Sequence, residues 1–186
     1  MLSQLRAATS QLHRELDGAL GLEEGQITRQ KYVEFLQGSL LALAAIEPRL
    51  AAVSAPGVAS RCELLRSDLQ SLGATADVSD LSEAVHIDSQ AAAFGARYVI
   101  EGSTLGGAIL SRLFDKALAL EGKGLRYLTL HGAGLAEHWR EFLSELEQFG
   151  KVATPELRAE ACETARAVFM LYIAAFRRSG AIPAKL

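Results

Sequence analysis

Two sets of residues in this chain are suited to ligand chemistry, and the first is a histidine near the N-terminus. His13 stands at the edge of an apolar helical stripe in the segment LRAATSQLHRELDGAL. Neutral imidazole is a common ligand for iron, so a histidine on one helix facing another could provide one axial ligand and leave the opposite side open. The alternative is a histidine that is partly exposed, or satisfied by hydrogen bonds, and binds nothing.

The second set is the glycine-bearing motif EGSTLGG, which lies inside what otherwise reads as one helix from about residue 89 to 120. Its three glycines cost that helix roughly 3 kcal/mol relative to alanine. Four residues share one helix face because they fall at steps of three and four, namely Gly95, Tyr98, Gly102 and Gly106. A face with so little side chain allows close approach, either by a flat ligand or by a neighbouring helix.

With these features in place, the sequence resembles the heme oxygenases. LRAATSQLHREL is similar to that family's first helix, GQITRQKYVEFLQGSL to its second-helix entry, and YVIEGSTLGGAIL to its distal helix in the bacterial form. The resemblance runs from about Leu2 to Arg178. It implies a single all-α domain over residues 1–186, a helical bundle with heme between the first helix and a kinked distal helix. His13 would be the proximal iron ligand, and heme would be both substrate and cofactor, cleaved by dioxygen and reducing equivalents to biliverdin, carbon monoxide and ferrous iron.

The resemblance also implies roles for the distal glycines. Gly102, Gly106 and Gly107 would leave room above the heme for dioxygen, although close helix packing is the alternative for the last two. Vertebrate-type members carry the motif GDLSGG, whose aspartate anchors distal water, and this chain has Ser103 at that position. Many bacterial members with EGS-x-LG also lack the carboxylate, so its loss does not exclude activity.

Proton delivery would then use ordered water and the polar groups nearest in sequence. These groups are Arg97, Tyr98 and Ser103, with Glu101 as a further candidate. For Arg97 and Glu101 the alternative is a solvated helix face.

The heme edge has candidate partners elsewhere in the chain. Heme carries two propionates, and by resemblance Arg6 and Arg140 match basic positions that could bind them. Phe169 and Tyr172 match positions that face the heme edge. Surface arginines and a plain core stripe are the alternatives. The remaining histidines, at positions 86, 131 and 138, are interpreted as structural or solvated, because none is spaced with another ligand as a metal pair would be.

Helical periodicity covers nearly the whole chain and predicts the elements that must position these residues. Thr28 and Thr154 are predicted N-caps, Pro48 should kink or end its helix, and turns are predicted at Gly25 and Pro56. The segment 74–88 reads as a loop. The predicted helices span residues 3–20, 28–53, 59–72, 89–120, 135–149 and 155–178.

Composition limits the function classes. The net charge of −3 predicts no nucleic-acid partner. Two cysteines without metal spacing, no signal-peptide pattern, and apolar runs about half of the ~20 residues that a membrane span needs predict a cytoplasmic protein without a membrane partner. The resemblance implies a ferredoxin or flavoprotein reductase as electron donor and, as a possible acceptor of biliverdin, a bacteriophytochrome. A heme-trafficking protein without turnover and a helical interaction module are the alternatives to the enzyme.

Overall fold

The computed structural model describes residues 1–22, 27–53, 60–75 and 85–184. Within these ranges the chain is helical and contains no strand, which confirms the predicted all-α class. The predicted turns at Gly25 and Pro56, and most of the predicted loop 74–88, lie outside the described residues. The helices of the described part are α1 (Leu2–Leu20), α2 (Arg29–Val53), α3 (Arg61–Ser71), α4 (Gln90–Leu118), α5 (Leu135–Val152) and α6 (Pro155–Ser179), with a 3-10 turn at Gly132–Gly134.

Side chains predicted to start helices do so through hydrogen bonds. The Thr28 hydroxyl accepts the backbone N–H of Lys31 at 3.1 Å, and the Thr154 hydroxyl accepts that of Leu157 at 3.4 Å. Pro48, by contrast, does not end α2, because the helix continues to Val53. Proline removes one backbone hydrogen bond, and α2 is already anchored upstream by a long series of buried residues.

Helix α6 occupies the centre of the packing. It packs against α4, α2 and α1, and it supplies Val168, Ala165 and Ala175 to the fully buried core. Its closest approach is to α4 at Gly95, where an added Cβ would lie 2.1 Å from the carbonyl oxygen of Ala161. No side chain fits there, so Gly95 serves helix packing.

Helix α2 is long and apolar enough, by length and composition, to cross a bilayer, although the sequence has no charge-free run of that length. Half of its most apolar window is buried within the protein, and buried core helices meet the same criterion. In this fold α2 packs against α3, α4 and α6, with Tyr32, Leu36 and Leu40 fully buried. It therefore acts here as a core helix.

Candidate active site

A cavity of about 730 Å³ lies between α1 and α4, with α6 and α2 forming its remaining walls. Its volume is in the range of small-molecule and cofactor sites, roughly 300–1,000 Å³. Most of its surface is apolar. The lining residues that bear on the argument are Arg6, His13, Leu16, Asp17, Phe35, Ser39, Tyr98, Gly102, Ser103, Gly106, Gly107, Tyr127, Trp139, Phe169, Tyr172 and Phe176.

His13 reaches this cavity from α1, and its side chain is 61% exposed. Its Nδ1 lies 2.8 Å from a carboxylate oxygen of Asp17, one helical turn further on, and its ring meets Phe169 edge-on at 5.7 Å. Because a carboxylate only accepts, Nδ1–H is the donor, and in the neutral tautomer with this hydrogen Nε2 carries the lone pair. A carboxylate on the far nitrogen is the usual partner of a metal-binding histidine.

The opposite wall is the glycine face of α4. An added Cβ at Gly106 would meet nothing within 4 Å, and one at Gly102 would touch only the Trp139 ring at 4.0 Å. At Gly107 it would lie 3.2 Å from the Leu128 carbonyl oxygen, so that glycine is used for packing. The structure thus shows helix packing at Gly107 and open space at Gly106, where the sequence left packing and ligand approach as alternatives. Helix α4 is continuous through all its glycines, so the kink predicted from them involves no break in the helix.

The polar groups predicted on α4 separate into two sets. Tyr98 and Ser103 line the cavity, and the Ser103 hydroxyl donates to the Ile100 carbonyl of its own helix at 2.7 Å. Arg97 does not line it. Its guanidinium pairs with Glu145 of α5 at 2.7 Å and lies 5.1 Å from the ring centroid of Phe142. The predicted relay role of Arg97 has no support in this placement, because the side chain is held between α4 and α5.

The residues predicted at the heme edge also fall into two groups, those that line the cavity and one that does not. Phe169 and Tyr172 line the cavity from α6, and Arg6 lines it from α1. Arg140 is exposed on α5 and is not among the residues that line the cavity. A propionate role is therefore supported for Arg6 and not for Arg140.

The segment between α4 and α5 contributes a residue that the sequence analysis missed, Tyr127. Asp68 of α3 fixes the segment by accepting the backbone N–H groups of Arg126 at 3.0 Å and Tyr127 at 2.8 Å. Burial raises the pKa of Asp68, and these two hydrogen bonds oppose that rise. The segment has no helical periodicity, so no pattern in the sequence indicated that Tyr127 lines the cavity.

A cluster of hydroxyl groups results on the α2–α4–α6 side of the cavity. The Tyr127 hydroxyl interacts with the side chains of Ser39, Ser103 and Tyr172. Burial raises the pKa of Tyr127, with the nearby Arg61 charge and the serines acting against it, and burial also raises the pKa of Tyr172. Both phenols therefore stay protonated at neutral pH. The Tyr172 hydroxyl is buried next to Tyr127, and no atom of the described residues is in hydrogen-bonding geometry with it.

Glu101 is buried rather than solvated, and only 4% of its side chain is exposed. It pairs with Arg61 of α3 at 2.8 Å and with His138 of α5 at 2.7 Å, and His131 lies 4.0 Å away. Burial alone would raise the pKa of Glu101, but the Arg61 charge and the His138 contact bring it below its ordinary value. His131 and His138, interpreted from the sequence as structural or solvated, thus lie beside a buried carboxylate that is distant from them in sequence.

An all-helical fold in which a histidine of α1 and the bare face of α4 line one large, mostly apolar cavity defines a helical protein suited to a flat macrocycle such as heme. The unfilled space at Gly106 fits such a ligand.

The chain is similar in sequence and in fold to known proteins. The family model for heme oxygenase matches residues 1–178. A heme oxygenase of Xanthomonas campestris pv. campestris is 33% identical over 154 residues, 80% of this chain and 90% of that protein. Heme oxygenase PigA of Pseudomonas aeruginosa is 33% identical over 153 residues, 77% of this chain and 76% of that protein. The NO- and CO-bound heme oxygenase of Neisseria meningitidis superimposes with a TM-score of 0.77 at 25% identity, covering 99% of this chain and 94% of that one.

The chain belongs to the heme oxygenase family. Heme is accordingly its substrate, iron enters the site as heme iron, and the reaction is the oxidative degradation of heme to biliverdin. This reaction generally needs an electron donor, so a reductase is a required partner.

Proposed function

We propose that this protein holds heme by coordination from His13 and degrades it beneath the glycine face of α4. The observation that carries the proposal is that His13 of α1 and the Gly102–Gly106 face of α4 line the same large cavity. Heme bound there supplies iron for dioxygen activation and a porphyrin meso carbon as the atom to be oxidised.

The first wall provides ligation and orientation. Asp17 accepts the hydrogen bond from His13 Nδ1 and so fixes both the tautomer and the ring plane. Phe169 of α6 contacts the His13 ring edge-on and restricts its rotation. Because the His13 side chain is 61% exposed, its removal should leave the structure intact.

The second wall provides space and protons. Gly102 and Gly106 leave no side chain that could coordinate iron or occupy the oxygen position. Ser103 has no useful pKa for proton delivery near neutrality, but its hydroxyl can hold water. The Tyr127 hydroxyl remains protonated beside Ser103 and Tyr172 and can donate to that water, so the relay runs through water fixed by Ser103, Tyr127 and Tyr98.

Arg6 is the propionate partner supported by the structure, since it lines the cavity on the same helix as His13. Phe169 and Tyr172 contact the macrocycle edge and contribute to the choice of meso carbon. The meso carbon that is attacked depends on how heme is rotated about its iron. A charged hydrogen bond from Arg6 to a propionate restricts this rotation.

The remaining partners follow from the reaction and the sequence. We propose a ferredoxin or flavoprotein reductase as electron donor, a bacteriophytochrome as biliverdin acceptor, and a cytoplasmic location. One cluster of buried residues draws on all the helices α1 to α6, which supports a single domain over residues 1–186.

The test uses hemin added to the purified chain, followed by ascorbate or by ferredoxin with its reductase. Wild type should form a Soret band that gives way to biliverdin absorption. His13→Ala should lose turnover at unchanged thermal stability, whereas the exposed His86→Ala should behave as wild type. A Soret band that persists under reduction would indicate heme carriage without turnover, and wild-type turnover in His13→Ala without added imidazole would exclude His13 as the ligand.

A further inference from the structure

Outside the heme cavity, three potential metal-binding side chains converge at the junction of α4, α5 and the turn before α5. One oxygen of Glu101 and one ring nitrogen each of His131 and His138 all lie within 4.8 Å of one another. The two imidazole rings are stacked, with centroids 3.8 Å apart, and the Nε2 of each ring lies close to the same carboxylate oxygen, at 4.0 Å and 2.7 Å.

His131 carries the observation that a structural role does not explain. Its Nε2 is buried and has no hydrogen-bond partner among the described residues. A buried polar atom without a partner destabilises a fold, and such atoms are normally satisfied by a side chain, a water or an ion. Burial and the neighbouring His138 lower the pKa of His131 below its ordinary value.

We propose that Glu101, His131 and His138 form a binding site for a divalent first-row transition-metal ion, separate from the heme iron. Two imidazoles and one carboxylate suit iron(II), cobalt(II) and zinc(II) rather than calcium or magnesium, which prefer oxygen ligands. The ferrous ion that the reaction releases belongs to this class.

The geometry requires only a modest contraction. Ligand atoms around a tetrahedral ion at about 2.0–2.2 Å are roughly 3.4 Å from one another, against a present limit of 4.8 Å. His131 can supply this movement because it precedes the turn Gly132–Gly134, which contains two glycines. The hydrogen bond between His138 and Glu101 is replaced by two bonds to the ion.

Arg61 and a small cleft complete the site. Arg61 Nη2 lies 2.8 Å from the same Glu101 oxygen that His138 contacts, so it fixes the carboxylate and also lowers the affinity for a cation. The cleft, of about 200 Å³, opens beside His131 and is bordered by Thr104, Ser111 and Leu128. His131 lines this cleft, and in the proposal the cleft is the path by which an ion reaches His131 from solvent.

The test is a titration of the heme-free full chain with cobalt(II) or zinc(II) salts, followed by calorimetry and, for cobalt, by visible ligand-field absorption. Wild type should bind one equivalent per chain and gain thermal stability. His131→Phe keeps the ring stack and removes the unpartnered nitrogen, and it should weaken binding at least tenfold. The matched change at an exposed histidine, His86→Phe, should leave binding unchanged.

Two results would overturn the proposal. One is the absence of stoichiometric binding to wild type, and the other is equal affinity in wild type and His131→Phe. Should His131→Phe fail to fold, His131→Leu takes its place, with the same two outcomes decisive.

Discussion

At the scale of single residues, the contact between His13 and Asp17 is the feature that most clearly marks His13 as a candidate metal ligand. The sequence identified His13 through its helix face and motif, but not Asp17, although the two are four positions apart and such residues are neighbours on a helix. Spacing alone could have indicated the pair. It could not have shown that both residues face a cavity, because that depends on α4 and α6.

Replacing Asp17 with alanine should weaken hemin binding about 10- to 100-fold, the usual effect of losing the second partner of a metal-binding histidine. The fold should be unaffected, since the Asp17 side chain is 64% exposed. Hemin titration followed at the Soret band measures the effect. Glu15→Ala is the matched control, because Glu15 bonds only the exposed Gln11 in the described part of the chain. Equal affinities of the two variants would contradict the role of Asp17.

Charge reversal at two arginines should separate the propionate partner from a surface residue. Arg6→Glu should weaken hemin binding roughly 10- to 100-fold or change the biliverdin isomer, because a charged hydrogen bond is worth about 1.5–3 kcal/mol and reversal adds repulsion. Arg140→Glu should change neither, since Arg140 does not line the cavity. Hemin affinity and isomer analysis test this. An effect confined to Arg140→Glu would reverse the assignment.

At the scale of elements, α4 shows what periodicity can and cannot predict. The sequence placed this helix within two residues at each end and found its glycine face. It could not say which glycine meets a helix and which meets a ligand, because each outcome depends on the neighbour. Gly95 faces the backbone of α6, whereas Gly106 faces open space. Similarly, Glu101 and His138 are 37 residues apart, and no spacing rule joins them.

Alanine substitution should distinguish the two kinds of glycine. Gly95→Ala should lower the free energy of unfolding by about 1–3 kcal/mol, because its Cβ would overlap the Ala161 carbonyl. Gly106→Ala should raise it by up to about 1 kcal/mol through helix propensity, since nothing opposes the added methyl. Urea denaturation monitored by circular dichroism measures both. Stability changes of the same sign in the two variants would contradict the distinction between a packed Gly95 and an unpacked Gly106.

At the scale of the whole molecule, the buried core also decides the behaviour of the two free cysteines. Burial, with the hydrogen bond and charge of Glu47, raises the pKa of the Cys62 thiol to about 12, and Cys162 is only partly buried. The thiolate is the reactive form, so Cys62 should react with iodoacetamide at least tenfold more slowly than Cys162 in the folded protein.

Mass spectrometry of the alkylated peptides measures this difference, and the same reaction in concentrated urea is the control. In urea the two rates should become similar, because the difference belongs to the fold rather than to the local sequence. Comparable rates in the native protein would show that α3 opens readily without global unfolding.

The central position of α6 has a consequence for how the chain is made. Helices α1, α2 and α4 all pack against residues 155–179, which emerge from the ribosome after them. At synthesis rates of about 5–20 residues per second, α1 waits roughly 7–27 s for that partner. During this interval three apolar helix faces lack their final contact, so the unfinished chain is prone to association. The apolar faces of α1, α2 and α4 are therefore covered only after α6, the last long helix, has been synthesised. The tendency of the chain to aggregate should fall at that point.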